Sequence, residues 1–225
     1  MLSDNNGALI GSVALKMILS TCGNVWHPNN LNIAVPRGHL SSTSLFFQNA
    51  GYTLADTGVD DRFSTSDVLS FSTYVMAGCV VTISESVFSG SFLSVVLASL
   101  HTGAMNFITP NDICCLYPST TPSKLTCSFN GSRGLTEPKR SSLSSRGFNL
   151  LMSSSELDGA CGDLCPRFLR QFRGLKRIGL FRWHGSGTST LGCISYSWFT
   201  GTECNKLNCI VRAQADILYA GSHSF

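Results

Sequence analysis

The sequence contains few charged side chains. Aspartate, glutamate, lysine and arginine make up 13% of its 225 residues, against about 25% in ordinary soluble domains. A lone soluble enzyme usually carries more lysine and glutamate, because these side chains keep its surface in solution. So little charge favours a protein that covers much of its surface with neighbouring subunits.

Long hydrophobic runs and a typical leader are also missing. No apolar run is long enough to span a bilayer, so we expect no contact with a membrane. The first residues make a poor signal peptide, because Asp4 stands where a basic start belongs and Lys16 interrupts the apolar stretch. We therefore expect a protein made in the cytosol.

Short metal-binding knuckles and a phosphate-binding glycine loop are absent as well. The spacings Cys161-x3-Cys165 and Cys204-x4-Cys209 differ from the paired short knuckles of a structural zinc site. His184 has no second histidine at ligand spacing. The ten cysteines lie at irregular intervals, several in strongly apolar runs, which favours reduced and buried thiols. We expect no metal and no cofactor.

The charges that are present are unevenly distributed. Residues 1–123 carry three basic and seven acidic side chains, whereas residues 124–225 carry thirteen basic and six acidic ones. The formal charge is thus −4 in the first part and +7 in the second. This asymmetry predicts a polyanionic partner for the C-terminal half.

The chain consists mostly of short segments rich in β-branched and aromatic residues, bounded by Gly, Pro, Asn, Asp or Ser. We find no internal repeat and no linker. The pattern predicts an all-β fold, an antiparallel jelly-roll β-sandwich with one or two short helices, forming a single domain over residues 1–225. The predicted strands lie within residues 9–20, 31–36, 43–49, 68–84, 91–100, 104–109, 112–118, 124–130, 147–154, 177–184, 190–201 and 207–221.

Two segments depart from this pattern. Residues 130–147 are predicted to form a polar, basic loop. Residues 163–178 are predicted to form a helix, which Asp163 can cap and whose first turn suits Pro166. Basic residues spread around this helix can neutralise phosphates without reading sequence, although a merely solvated amphipathic helix explains them equally well. The RNA-contact candidates are Arg167, Arg170, Arg173, Lys176 and Arg177.

Cys161 lies in the turn GACG and raises a catalytic alternative. The chain order of His39, an acid such as Asp67 or Glu85, and Cys161 resembles that of the chymotrypsin-like cysteine proteases of positive-strand RNA viruses. Under that interpretation His39 is the base, Cys161 the nucleophile and His184 a residue of the specificity pocket. The long basic segment after Cys161 does not fit that family. We therefore expect no catalytic residue and take Cys161 as a turn residue.

Two stretches resemble parts of viral coat proteins. Residues 191–221, LGCISYSWFTGTECNKLNCIVRAQADILYAG, resemble the last hairpin of a picorna-like jelly roll, and residues 25–38, VWHPNNLNIAVPRG, resemble the strand-then-proline loop of such subunits. The chain as a whole is similar to capsid subunits of picorna-like icosahedral plant viruses of the secovirus group, for example the cheravirus-like ones.

This resemblance implies a structural subunit of an icosahedral capsid without catalysis. Its partners would be other capsid subunits and viral RNA on the inner face, and its location the virion, with the host cytoplasm during assembly. The sequence begins without a long basic arm, so RNA contact would come from the cluster within residues 167–177. A secreted β-sandwich lectin with oxidised cysteines is a further alternative.

Overall fold

The computed structural model describes residues 1–20, 26–58, 67–128, 135–172, 177–183, 196–201, 204–206 and 208–211. These residues are mostly β, with few helices. The strands are β1 (Ala8–Ile10), β2 (Asn30–Val35), β3 (Thr53–Gly58), β4 (Val68–Met76), β5 (Cys79–Ser86), β6 (Asn106–Ile108), β7 (Asp112–Cys115), β8 (Leu125–Cys127), β9 (Asn149–Leu151), β10 (Arg170–Gln171), β11 (Gly179–Arg182) and β12 (Ser197–Trp198). The α-helices are α1 (Ser12–Ile18), α2 (Leu40–Asn49), α3 (Leu93–Leu97) and α4 (Glu137–Ser145).

Eight of the strands form one mixed sheet in the order β11-β7-β6-β1-β2-β5-β4-β3. Strands β2 and β5 pair in parallel, and the other neighbours in this sheet pair antiparallel. Two further pairs stand apart, β10 with β12 and β8 with β9. The large sheet confirms the mostly-β prediction at the level of fold class.

The β4–β5 hairpin shows how local sequence builds the sheet. Its two-residue turn, Ala77 and Gly78, has positive φ at both positions, 48° and 82°. That backbone matches the right-handed twist of paired strands and favours glycine. The register pairs Met76 with Cys79 and continues along the whole of β4. The segment predicted as strand over residues 68–84 is therefore two strands, joined by a turn that the prediction did not include.

Both faces of the central strands are buried. Ala8 and Ala34 face a core that also holds Leu93 and Val96 of α3. The residues that alternate with them face a second core, where Ile33 packs with Phe47 of α2 and Tyr74 of β4. Because side chains alternate along a strand, the two helices cover opposite faces of the sheet.

A small second sheet packs on the α3 side of the large one. Phe172, which follows β10, has its ring centroid 6.2 Å from that of Phe107 on β6. Trp198 on β12 donates its indole N–H to the Tyr117 hydroxyl at 3.2 Å. This contact between two sheets is consistent with a β-sandwich.

Several predicted strands are helices instead. Residues 12–18, 40–49 and 93–97 form α1, α2 and α3. Apolar runs this short fit both the 3.6-residue period of a helix and the two-residue period of a strand. In α2 the buried residues are Thr43, Ser44 and Phe47, which lie on one face of the helix. Gly11, with φ 68°, turns the chain from β1 into α1. The prediction of one or two helices is therefore wrong, and so is a purely antiparallel order, because β2 and β5 are parallel.

The two exceptional segments also differ from expectation. The predicted loop contains α4, which begins after Thr136 with Pro138 in its first turn. The predicted helix at 163–178 is wrong within the described residues. A short 3-10 turn spans Gly162–Leu164 and β10 follows, while residues 173–176 lie outside the described ranges. Cys165, which precedes Pro166, has ψ 127°, the extended conformation that a following proline favours.

Among the helices described above, none combines the length and the apolar character needed to cross a membrane.

Phe107 provides a test of the core. Its side chain is fully buried, with a ring centroid 5.1 Å from that of Phe92. We expect Phe107→Ala to lower the free energy of unfolding by about 3–5 kcal/mol, because a large cavity replaces the ring. Phe181→Ala, at a side chain that is 62% exposed, is the matched control and should cost less than about 1 kcal/mol. Urea denaturation measures both, and equal losses would contradict this description of the core.

Candidate metal centre

Four cysteine thiols converge in the C-terminal part of the chain. Their Sγ atoms all lie within 4.8 Å of one another, and all four side chains are buried. The Sγ atoms of Cys161 and Cys204 are 3.7 Å apart, and those of Cys165 and Cys209 are 3.5 Å apart. We call these four residues the tetracysteine cluster.

The first two thiols flank the 3-10 turn. The backbone N–H of Leu164 donates to the carbonyl of Cys161 at 2.9 Å, and that of Cys165 donates to the carbonyl of Gly162 at 3.2 Å. Gly162 has φ 51°, a conformation that strongly favours glycine. The tight turn brings Cys161 and Cys165 to the same cluster.

The other two thiols lie on a segment that is tied to residues 153–159. The backbone N–H of Asn205 donates to the Ser154 hydroxyl at 2.8 Å, and its side-chain amide donates to Ser153 at 3.0 Å. The Lys206 ammonium donates to the carbonyls of Leu157 and Gly159. These contacts hold Cys204 and Cys209 against the first pair.

An apolar shell surrounds the sulfur atoms. Cys127 of β8, Leu151 of β9 and Leu157 are buried in the same cluster, and Leu125 and Phe168 pack against it. The side chains exclude water from the thiols. Low polarity around thiolate ligands strengthens their hold on a metal and limits access of other reactants.

The spacing of the sulfur atoms fits a tetrahedral metal site. Four thiolates about 2.3 Å from a zinc ion are about 3.8 Å from one another, close to the 3.5 and 3.7 Å of the two short pairs. A disulfide requires about 2.05 Å. Four soft sulfur donors select zinc or an iron–sulfur centre over hard oxygen-preferring cations. With all four positions supplied by protein, the site is of the closed, structural kind.

The thiols of the tetracysteine cluster differ in pKa. Burial raises the pKa of Cys161 to about 12, and the hydrogen bond that its thiol donates to Cys204 adds to this effect. Burial likewise raises the pKa of Cys165 to about 12. Burial also acts to raise the pKa of Cys204, but hydrogen bonds from the Lys206 backbone, Ser154 and the neighbouring thiols outweigh it and lower that pKa to about 7. The surroundings of Cys204 thus favour its thiolate, whereas those of Cys161 and Cys165 favour the thiol.

The structure brings together four cysteines that we expected not to form a metal site. That expectation rested on spacing within each pair, which is three and four residues rather than two. Cys161 is a turn residue, as predicted, but its thiol faces three others. The available signal was the pair of short Cys-x(3–4)-Cys spacings, each compatible with two ligands from one turn. Nothing in the sequence shows that the two pairs meet.

Three of the five predicted RNA-contact residues lie within the described ranges, and their surroundings differ. Arg170 is 7% exposed, and its guanidinium donates to the carbonyls of Phe168 at 3.0 Å and Asp163. Arg177 is exposed and forms an ion pair with Asp163. Arg167 is half-buried, while Arg173 and Lys176 lie outside the described residues. Arg170 is therefore a buried residue whose hydrogen bonds stabilise the surrounding backbone. RNA contact by the other four candidates stays a prediction.

The proposed protease residues have other partners in the described structure. The Nδ1 atom of His39 is 3.4 Å from Asn5 Oδ1. Glu85 accepts hydrogen bonds from the backbone of Gly38 at 2.7 Å and from the hydroxyl of Ser70 at 2.9 Å. Cys161 has Cys204 as its hydrogen-bond partner, and His184 lies outside the described ranges. These contacts do not bring together a base, an acid and a nucleophile.

Comparison with known proteins adds no assignment to this site. The chain matches no protein-family model, no curated protein and no solved structure. The candidate site rests on the geometry of this chain.

Cysteine substitutions test the metal site. We expect the protein to bind one zinc ion per chain, and Co²⁺ in its place to give the absorption of a tetrahedral tetrathiolate. Replacing any one of the four ligands by serine should weaken zinc binding by about 100-fold or more, because a hard, weakly acidic hydroxyl replaces a thiolate. Cys79→Ser, at an exposed cysteine, is the control and should leave stoichiometry and affinity unchanged. Retention of normal affinity by any of the four ligand variants would contradict the site.

The pKa values predict how zinc affinity depends on pH. At pH 7–8 the Cys161 and Cys165 thiols are protonated in the metal-free protein, because burial raises their pKa to about 12. Zinc must displace at least these two protons, so the affinity rises with pH. We expect about 100-fold weaker binding at pH 7 than at pH 8, measured by competition with a chromogenic chelator. An affinity that is constant across this range would show that the thiolates exist before the metal binds.

Proposed function

We propose that this chain is a non-catalytic, zinc-stabilised structural subunit of an icosahedral viral capsid, which assembles with other subunits around an RNA genome. The observation that carries its structural character is the closed tetracysteine cluster. Four protein ligands leave no open position for a substrate or a reactive water, the arrangement typical of zinc sites that stabilise a fold.

The apolar surface of the described residues supports assembly. Leu45 and Phe46 of α2 and Leu54 of β3 are exposed at one end of the large sheet, and Phe181 and Trp183 are exposed at or beside β11 at the other. Soluble monomers seldom leave large apolar side chains grouped in this way. Two different patches at opposite ends are what a heterologous contact needs, because each subunit can then touch two neighbours.

The sheet edges support the same proposal. Among the described strands, β3 pairs only with β4 and β11 only with β7. Every residue of β3 is exposed. An unpaired strand edge offers backbone groups to another chain, so each edge can add hydrogen bonds to the apolar contact beside it.

The jelly-roll sandwich belongs to this proposal as its finer architectural part. The packing of the β10–β12 sheet against Phe107 of the large sheet supports a two-layer arrangement of strands. The parallel pairing of β2 with β5 is the point at which the large sheet differs from an all-antiparallel jelly roll. The composition, poor in charge and with a positive C-terminal half, supports a subunit that shares its surface with neighbours and with RNA.

The cysteine-protease alternative makes a different prediction for the same residues. A nucleophile is one residue, so a protease would lose cleavage with Cys161→Ser and tolerate Cys209→Ser. A structural metal site makes the two substitutions equivalent in metal content and stability. Equivalence in both properties supports the structural proposal, and selective loss of proteolysis in Cys161→Ser would overturn it.

Assembly is tested on the native protein. We expect nuclease-treated material to sediment as particles that contain this chain and protected RNA, visible by electron microscopy, and a zinc chelator to reduce their yield. Leu54→Glu and Phe181→Glu should each abolish particles while leaving one zinc per chain, because a charge is then buried in a subunit contact. Met17→Glu, at an exposed residue of α1, is the control. A monomeric, RNA-free native protein would overturn the capsid proposal.

A further inference from the structure

A basic cavity lies between α1, β2 and α4, away from the tetracysteine cluster. Its volume is about 460 Å³. No acidic side chain occurs among its described lining residues, whereas two cations, a histidine and several polar side chains do. We call it the α4 pocket; the lining residues used below are Ser12, His101, Lys139 and Arg146.

Packing of α1 against α4 shapes this pocket. Leu15 and Leu19, in and just after α1, are buried together with Leu143 of α4 and Phe148, and Trp26 packs against this group. The last turn of α4 is thereby fixed relative to α1. Arg146 immediately follows α4, so its position at the pocket is set by the buried helix contact.

Two cations share the ring of Trp26 beside the pocket. The Arg146 guanidinium lies 4.6 Å from the ring centroid and the Lys16 ammonium 5.4 Å from it. Each interaction places a cation against this ring. With Lys139 in the pocket lining, these cations make the surroundings of the pocket positive, which favours a negatively charged ligand.

His101 is a lining residue of the pocket that is held in place from behind. Its Nδ1 atom lies 2.9 Å from the Thr126 hydroxyl, which accepts a hydrogen bond from the backbone N–H of Gly103 at 2.8 Å. Burial, with the nearby Arg146 and Lys139 charges, lowers the histidine pKa to about 4. The ring is therefore neutral at pH 7, and the positive charge of the pocket comes from Arg146 and Lys139.

Two buried polar atoms in this region have no hydrogen-bond partner among the described residues. They are the hydroxyl oxygen of Ser12, which lines the pocket, and the indole nitrogen of Trp26. Buried donors are rarely left unsatisfied in folded proteins. A ligand with several acceptor oxygens satisfies such a group, whereas an apolar ligand does not.

The basic surface continues beyond the pocket along α4. Lys139 and Arg140 lie on the helix, and Lys124 lies beside Gly147 just after it. Glu137 is the acidic residue of this helix. Several cations around one helix fit a chain of phosphates better than a single phosphate.

We propose that the α4 pocket binds a phosphate group of an RNA backbone, with Arg146, Lys139 and Ser12 as donors beside the neutral ring of His101, and with the α4 cations contacting the neighbouring phosphates. The phosphate chemistry follows from the pocket, and the choice of RNA as its source rests on the proposed function. The contacts are to the backbone, so the pocket binds RNA without sequence preference.

The test uses the full-length, zinc-loaded protein and a fluorescent single-stranded RNA of mixed sequence, followed by anisotropy at several salt concentrations. We expect the double variant Lys139→Ala/Arg146→Gln to weaken binding about 10-fold or more. The slope of log affinity against log salt concentration should become shallower, because about two fewer counterions are released on binding. Arg146→Lys, which keeps a cation over Trp26, should stay within a few-fold of the native protein. Arg37→Ala, at an exposed cation that is neither in the pocket nor among the predicted RNA-contact residues, should change affinity less than twofold.

Competition experiments distinguish RNA from small phosphate compounds as the ligand of the pocket. Inorganic phosphate and a nucleoside monophosphate, added as competitors, should displace RNA only at far higher concentration. Competition at the same concentration as RNA would overturn the RNA assignment, and unchanged RNA binding in the double variant would overturn the pocket. Zinc content and thermal stability of each variant are measured alongside, so misfolding cannot account for a loss. Because binding is measured on the isolated subunit, failure to form particles and failure to bind phosphate are distinguishable.

Discussion

Burial of both faces of β1 and β2 is the constraint on which the rest of the fold depends. Apolar side chains alternate along these strands, so each face of the sheet needs cover. The chain leaves β2, covers one face with α2, forms β3 and β4, and returns beside β2 as β5. That route makes β5 parallel to β2, since a parallel neighbour requires a long connection. α3 and the β10–β12 sheet then cover the other face.

The C-terminal part lacks comparable support from the backbone. Strands β8, β9, β10 and β12 have two or three residues each and pair only with one another. Such short ladders contribute few hydrogen bonds. The binding free energy of a structural metal becomes folding free energy when the site does not exist in the unfolded chain. At the metal site that we predict for the tetracysteine cluster, binding would therefore stabilise this region.

The two candidate sites are chemically opposite, which explains why they occupy different parts of the molecule. Thiolates that hold a soft metal require burial and exclusion of water, and the cluster sits within an apolar shell. A phosphate requires hydrogen-bond donors and access from solvent, which the cavity beside α4 provides. Arg170 shows that a basic residue in the sequence need not belong to a binding surface. Its guanidinium is buried and donates hydrogen bonds to backbone carbonyls.

Local sequence by itself determined the β-rich class and the central strand β2, because alternation and turn residues act over a few positions. It did not divide residues 68–84 into β4 and β5 at Ala77-Gly78, and it did not separate α2 from a strand, since a short apolar run fits both the helical and the strand period. Only the tertiary structure decided that Cys161 and Cys165 meet Cys204 and Cys209, and that Lys16 of α1 and Arg146 after α4 lie beside Trp26. Such meetings depend on the path of the whole chain, and no local pattern encodes the distance between residues that are remote in sequence.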